Sequence, residues 1–408
     1  MVKKSICIFT QSPLTKAPRV VKEANVYAEA GFSVTVYGLW YDKALLENDR
    51  ALLHSEIIYK AGINLLDYNS FRSKIIRLKR KTARELVKYL NIETINALGY
   101  NYKYYLKQLE QEQSCIYIGH EEMSMALSKA LLEKGFKVAF DFEDWHSKDL
   151  LPEDRVYRPI KLLERLEAYL LEKATYCYTT SEAMSKAMVS YYNTSRRPKV
   201  VYNSFLASDR ELIDGLNKDI IDQNLPSVFW FSQVISEGRG LELLFDALSY
   251  CKVSFQLHLR GEVSRDFKAK LISKTPKEIE LYFHDLVLPN QLISRIAEHD
   301  IGIAFESTEP KSRNYTITNK VFHYLQSGIA ILATETAGQK EIEAKAPEAI
   351  LLIERDSKEI AKALDRLLSD ANRLELMKTS SREAGKHNFA FESSKEQLLH
   401  MLNEEFDI

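Results

Sequence analysis

The sequence predicts an α/β protein made of two doubly wound parallel sheets. Short apolar runs of strand length alternate with amphipathic helical stretches along nearly the whole chain, which is the pattern of parallel strands joined by crossover helices. At 408 residues the chain is longer than one hydrophobic core normally serves. The apolar runs also fall into two sets, separated by a polar segment at 207–227 that reads as a linker.

Taken in order, the first set comprises strands at 5–10, 33–39, 115–118, 137–142, 175–179 and 199–202. The second comprises 228–231, 254–259, 281–284, 301–305, 330–333 and 349–353. A final amphipathic helix covers 392–403. The expected domains are residues 1–206, residues 207–388 and a C-terminal helical segment 389–408. Ligands of open parallel sheets bind at the carboxyl ends of the strands, so two such sheets face their functional loops toward a central cleft.

Composition narrows the function classes. The chain is 45% hydrophobic and 28% charged, as expected of a folded globular protein. A net charge of -1 argues against a globally basic nucleic-acid binder. No run approaches the ~18–20 apolar residues of a membrane span. The start, Met1 to Thr10, reads as a strand and not as a signal peptide. Cys7, Cys115, Cys177 and Cys251 are far apart, beside apolar runs and without metal-ligand spacing, so buried reduced thiols in a cytoplasmic protein are expected.

The loops after the strands hold the candidate chemistry. Ser12, Thr15 and Lys16 precede a helix with Pro18 and Arg19 in its first turn, where hydroxyls and the cations Lys16 and Arg19 can hold an anion or a sugar; a solvated loop is the alternative. His120 and Glu121 follow the strand at 115–118. A histidine there can donate to a sugar oxygen or move a proton, while Glu121 and Glu122 also suit a helix start through its dipole. Glu143 and Asp144 follow Asp141. This carboxylate run admits a metal, but hydrogen bonds to sugar hydroxyls fit it better, and no metal is expected.

Gly238, Arg239 and Gly240 link a strand to a helix. The glycines allow close backbone approach, and the forked guanidinium suits phosphate oxygens; a glycine-eased turn with a solvated arginine is the alternative. Gly261 lies in the loop after the next strand. Neither a Walker loop nor a dinucleotide fingerprint is present. The segment 319–331 reads as a short helix running into a strand. Thr318 is the expected N-cap, Gly328 the stop, and Asn319 and Lys320 stand at an N-terminus suited to phosphate; an ordinary αβ unit with an exposed lysine is the alternative. Apart from these, 71–90 carries eight Lys or Arg against one acid, Glu85, with Phe71, Ile75, Leu78, Leu86 and Leu90 on one helical face. Such a helix, followed by Tyr100, Tyr102, Tyr104 and Tyr105, suits an anionic membrane surface; a solvated helix packed on the first domain is the alternative.

In order and spacing these motifs resemble those of glycosyltransferase family 4, over nearly the full length. His120-Glu121 resembles that family's active-site pair. The run 141–145 stands where the family has Asp-x-His-Glu, 237–244 resembles its donor-phosphate loop, and 318–331 resembles its Asn-Lys-x-Phe-Glu-Tyr helix. The resemblance implies a GT-B fold with two Rossmann-like domains, the C-terminal helix packing back toward the first. It implies a retaining transferase that uses a nucleotide-diphosphate sugar without a metal or other cofactor. Arg239 and Lys320 would stabilise the leaving diphosphate. His120, Glu121, Glu143 and Asp144 would stand beside the transferred sugar, and Ser12, Thr15 and Lys16 would serve the acceptor. The acceptor would be a saccharide or a lipid-linked one in polysaccharide or glycolipid synthesis, and the enzyme would work peripherally at the inner membrane face through 71–90. The sequence departs from the family at His323 and Tyr315, where glutamates are usual, at Glu143, where histidine is usual, and at Gln233, where arginine is common. These departures leave two alternatives: a catalytically silent nucleotide-sugar-binding partner, or a sugar-nucleotide 2-epimerase.

Overall fold

The computed structural model describes residues 4–406. The chain divides into two compact units, one holding residues up to Val201 together with those from Lys395 onward, the other holding Tyr202–Ser394.

The first unit is built on a fully parallel seven-stranded sheet. Its strands are β1 (Ser5–Thr10), β2 (Ser33–Tyr41), β3 (Ile58–Asn64), β4 (Ile116–His120), β5 (Val138–Phe142), β6 (Cys177–Thr179) and β7 (Lys199–Val200), in the order β3-β2-β1-β4-β5-β6-β7. Ile6 lies beside Val34 on one side and Ile116 on the other. Helices cover both faces, so β1, β4 and β5 read as continuous apolar runs and not as alternating ones. The edge strand β3 was not among the expected strands. Lys60, Gly62 and Asn64 interrupt its apolar pattern, and every residue in it is at least partly exposed. The strand order reverses between β1 and β4, which brings the loops after these two strands side by side.

Three helices of this unit matter to the site: α1 (Pro18–Glu29), α2 (Phe71–Leu90) and α3 (Glu121–Glu133). Pro18 sits in the first turn of α1, where its missing N–H does no harm. Ser70 caps α2 by accepting from the Ser73 N–H at 3.3 Å, and Asn91 ends it in the left-handed conformation. Of the tyrosines after α2, Tyr105 belongs to the core: it is 1% exposed and its hydroxyl bonds the Leu39 carbonyl.

The second unit holds a six-stranded parallel sheet of β8 (Ser227–Ile235), β9 (Phe255–Val263), β10 (Ile279–His284), β11 (Ile301–Ala304), β12 (Ala330–Thr334) and β13 (Ile350–Ile353), ordered β10-β9-β8-β11-β12-β13. Successive residues of β8 serve opposite cores. Val228 and Trp230 pack with Leu244, Phe245, Leu257 and Leu364, while Phe229 packs with Phe322, Tyr324 and Ile331. The order reverses between β8 and β11. Two helices start from the loops after those strands, α4 (Leu241–Leu248) and α5 (Asn319–Ser327). The last helix is α6 (Phe391–Phe406).

Several boundaries differ from the sequence expectation. β8 continues past Phe231 to Ile235 through a register shift, which shortens the following loop to its glycine turn. The polar segment 207–227 is not a free linker. Its Ala207–Leu212 turn is held by Arg210, which donates to the Gln326 carbonyl, and Asp219 is buried against Arg260. Of the cysteines, Cys7 and Cys177 are buried, Cys251 is half-buried and Cys115 is exposed, and all are free. Among the described residues no helix is long and apolar enough to cross a membrane.

Candidate functional site

In the first unit the loops after β1, β4 and β5 converge on one polar cluster. His120, the last residue of β4, is its centre and is fully buried. Its Nε2 lies 2.8 Å from Glu23 of α1, and its Nδ1 lies 3.0 Å from Glu143 and 3.5 Å from Asp141. Asp141 and Glu143 are two residues apart on an extended segment, so both reach the same side. Arg19 of α1 grips both oxygens of Asp141 and donates to the Val201 carbonyl at 2.7 Å.

This geometry corrects the expectation that His120 is open to a ligand. Burial alone would lower its pKa. The bonds to Glu143 and Glu23, with the charges of Glu23 and Asp141, outweigh burial and raise it to about 10. His120 is therefore an imidazolium at neutral pH, with both nitrogens engaged. Burial pushes Asp141 up to about 6, against the opposing pull of Arg19 and His120. Burial would also raise Glu143, but the bond from His120 and the charges of His120 and Arg19 hold it below the ordinary range. Glu23, His120 and Asp141 each offer a ligand atom within 4.8 Å of the others, a spacing that fits a metal ion. Arg19 and the imidazolium already supply positive charge there.

Glu121 follows with φ +68°, an uncommon conformation for a residue with a side chain. Three donors hold its carboxylate: the Thr10 hydroxyl at 2.9 Å, the Ser12 N–H at 2.7 Å and the Ser12 hydroxyl. Ser12, expected to meet the acceptor, thus serves Glu121. Burial and the charge of Glu143 raise the Glu121 pKa. Thr15 and Lys16 are exposed, and the Thr15 N–H donates to Asp49 at 2.7 Å. Burial, with the nearby Asp149, raises Asp144 to about 6. A cavity of about 190 Å³ opens over this cluster, lined by Glu121, Glu143, Asp144, His146 and Arg158 among others.

In the second unit the loops after β8 and β11 meet. Gly238 and Gly240 have φ of +76° and +82°, and a Cβ on Gly240 would stand 2.4 Å from the Phe305 carbonyl oxygen. Only glycine allows that turn and that approach. Arg239 is exposed and donates to the Ser232 hydroxyl at 3.3 Å. At Gly261 a Cβ would collide with the carbonyl oxygen of Ser232, the residue whose hydroxyl holds Arg239. Thr318 is the N-cap of α5 as expected, but its hydroxyl makes no cap bond and is buried without a partner. The first N–H groups of a helix have no acceptor within it. Lys320 lies 3.5 Å from Glu306 and 5.2 Å above the Trp230 ring. The side chain of Asn319 accepts from Asn203 at 3.0 Å. The His323 ring lies tilted against Phe205 at 4.2 Å and meets Phe231 edge-on at 5.3 Å. Gly328 ends the helix at φ +76°.

Sequence reasoning missed Arg313 and Glu23 as members of these clusters, and it offered Arg19 to an anion or a sugar, whereas the guanidinium grips Asp141. Arg313 adds a cation beside the glycine turn, with its guanidinium 3.5 Å from the Gly238 carbonyl. Its signal was a position in the loop between β11 and α5. Glu23 gave a weaker signal, as a charged residue in a helix rich in Val and Ala.

No protein-family profile and no curated protein matches the sequence. Solved structures do match. Anabaena HepE in complex with UDP and glucose superposes with a TM-score of 0.69 at 14% identity, covering 98% of this chain and 100% of its own. Sucrose-phosphate synthase from Thermosynechococcus elongatus gives 0.67 at 13% identity, covering 99% of this chain and 100% of its own. A UDP-forming trehalose-phosphate synthase from Burkholderia xenovorans gives 0.64 at 13% identity, covering 98% and 99%. At this identity the likeness speaks to architecture, and together with the two parallel sheets it establishes that the chain has the GT-B fold.

Proposed function

We propose that the protein is a retaining glycosyltransferase of the hexosyl type. It would move a sugar from a nucleotide-diphosphate sugar to a saccharide or lipid-linked acceptor in surface polysaccharide or glycolipid synthesis. The observation that carries this reading is the anion-ready corner of the second unit. There the start of α5, the unpartnered Thr318 hydroxyl, Lys320 and the Gly238-Arg239-Gly240 turn come together. The UDP and UDP-glucose complexes of HepE support a sugar nucleotide as ligand.

On this reading Lys320, Arg239 and Arg313, with the dipole of α5, neutralise the departing diphosphate, and no metal is required. The acceptor's proton passes to a leaving phosphate oxygen. Glu121, Glu143 and Asp144 receive sugar hydroxyls in the cavity they line. His120 does not exchange a proton near neutral pH; it fixes Glu143 and offsets the local negative charge. Phe71 and Leu78, 77% and 63% exposed on a basic helix, support peripheral attachment at the inner membrane face. Equal flotation of the wild type and a Phe71→Asp/Leu78→Asp variant with anionic vesicles would remove that attachment.

The test is release of nucleoside diphosphate from UDP-, GDP- and ADP-sugars. Release by the wild type that falls at least ~100-fold in Lys320→Ala and Arg239→Ala supports the transferase reading. The enclosed His120 favours a second reading, a silent protein that binds sugar nucleotides without turnover. Tight binding with no release from any donor would establish that one. A UDP-N-acetylglucosamine 2-epimerase-like structure from Listeria monocytogenes also matches, at a TM-score of 0.56 and 10% identity. Epimerised donor formed without an acceptor would point there instead.

A further inference from the structure

Helix α2 carries a second binding feature that the donor chemistry does not use. Ser73, Ile76, Ala83 and Val87 form its buried face. Arg77, Arg80, Lys81 and Arg84 occupy the neighbouring face and, with Tyr100 and Tyr157, line an open cavity of about 310 Å³. Glu85 is the one carboxylate in its lining. Among the described residues none of the four cations forms an ion pair with a carboxylate, whereas Arg19, Arg50, Arg158 and Arg197 of the same unit do.

Aromatic rings pack against three of these cations. The Arg80 guanidinium lies 4.7 Å from the Tyr100 ring centroid and donates to its hydroxyl at 2.9 Å, while its Nε is buried without a partner. Arg84 lies 5.8 Å from the Tyr157 ring and Arg77 4.2 Å from the Tyr68 ring. Four positive charges kept together against the single carboxylate of Glu85 repel one another, and a phosphoryl group is the chemistry that relieves this with forked hydrogen bonds. Arg80 also lines the carboxylate cavity over Glu121 and Glu143. The basic and acidic cavities therefore adjoin at one side chain. The next face of α2 presents Phe71, Leu78 and Tyr89, which are 77%, 63% and 68% exposed.

We propose that Arg77, Arg80, Lys81 and Arg84 bind a phosphoryl group carried by the acceptor, with the acceptor's sugar entering the adjoining carboxylate cavity. A phosphorylated amphiphile matches all three faces of the helix, its apolar chain lying over Phe71 and Leu78. The inference rests on the transferase reading only for the word acceptor. The experiment therefore reads binding, and a failed turnover assay leaves its outcome intact.

The experiment titrates farnesyl diphosphate by calorimetry into the wild type, Arg77→Gln/Arg84→Gln, Arg80→Gln and Lys320→Ala, all checked for an unchanged melting curve. The expected result is a loss of at least tenfold in affinity in both α2 variants and little change in Lys320→Ala. Affinity equal in the wild type and the folded Arg77→Gln/Arg84→Gln variant overturns the proposal, as does a loss confined to Lys320→Ala. Two further arms identify the source of the phosphoryl group. Inorganic pyrophosphate binding within threefold of farnesyl diphosphate, with the same dependence on α2, assigns the pocket to a soluble phosphorylated acceptor. Farnesyl diphosphate binding at least tenfold tighter, and weakened by Phe71→Asp/Leu78→Asp, assigns it to a lipid-linked one.

Discussion

Replacing Arg19 with methionine tests the charge network around His120 without relying on any activity. Arg19 and Asp141 have 7% and 0% side-chain exposure, and the guanidinium serves both carboxylate oxygens and the Val201 carbonyl. Methionine fills similar volume but leaves a buried carboxylate with His120 as its nearest cation, 3.5 Å away. Removing one partner of a buried pair costs about 3–5 kcal/mol, because the other charge stays buried. The freed carbonyl adds to this, and relaxation around the smaller side chain subtracts, so a loss of ~4 kcal/mol at pH 8 is expected. The pH dependence is more specific. Asp141 sits at about 6 in the folded wild type, above an unfolded aspartyl group near ~3.9. A raised carboxyl makes the folded state bind more protons than the unfolded one in that window, so stability rises as pH falls through it. Without Arg19 the folded value climbs further, and the penalty shrinks as the solution is acidified. Urea unfolding at pH 8 and pH 5.5 measures both quantities. A loss below ~1 kcal/mol at pH 8, or an equal loss at both pH values, would refute the network as described. Arg19→Met/Asp141→Asn should lose less than Arg19→Met alone, since the orphaned charge is then gone.

Two other outcomes follow from local geometry. Gly240→Ala must accommodate a methyl group 2.4 Å from the Phe305 carbonyl oxygen, so it should lower the melting temperature by several degrees and weaken nucleoside diphosphate binding. Gly238→Ala, where a Cβ meets nothing within 4 Å, carries only backbone strain of ~1 kcal/mol; equal effects of the two substitutions would contradict the close-approach argument. In the second unit His258, His284 and His299 lie around Asp219 and Arg260, and burial lowers all three, His258 to about 2. Lowered histidines leave the unfolded chain with more bound protons, so their contribution is complete above pH ~6.5 and is lost on acidification. His299→Phe, which removes a ring with neither nitrogen hydrogen-bonded, should flatten the fall in stability between pH 7 and 5; an unchanged slope in urea melts would exclude this histidine as its source.

What was legible in the sequence was local. The turn Gly238-Arg239-Gly240 and the helix from Asn319 to Gly328 carry their own start and stop signals, so residues a few positions apart disclosed them. Fully buried strands such as β1 and β12 stood out as uninterrupted apolar runs. The edge strand β3 did not, because an edge is half solvated and tolerates Lys60 and Asn64. The state of His120 was also hidden. Its partner Glu23 is 97 residues away and Arg19 acts on it only through Asp141, so no spacing reveals an enclosed imidazolium. The left-handed Glu121 looked like an ordinary acid in a first helical turn. Arg80 read as one cation among eight until the fold placed it between two cavities of opposite charge.

The central claim is that the second unit takes a diphosphate at the start of α5. Thermal unfolding of the whole chain with UDP, GDP and ADP tests it most directly. A ligand at ~100 times its dissociation constant stabilises the folded state by about 2.7 kcal/mol. The account predicts that at least one of the three raises the melting temperature of the wild type by several degrees, and that Lys320→Ala and Arg239→Ala each abolish most of the rise. No rise with any of them, or a rise that survives both substitutions, would contradict it.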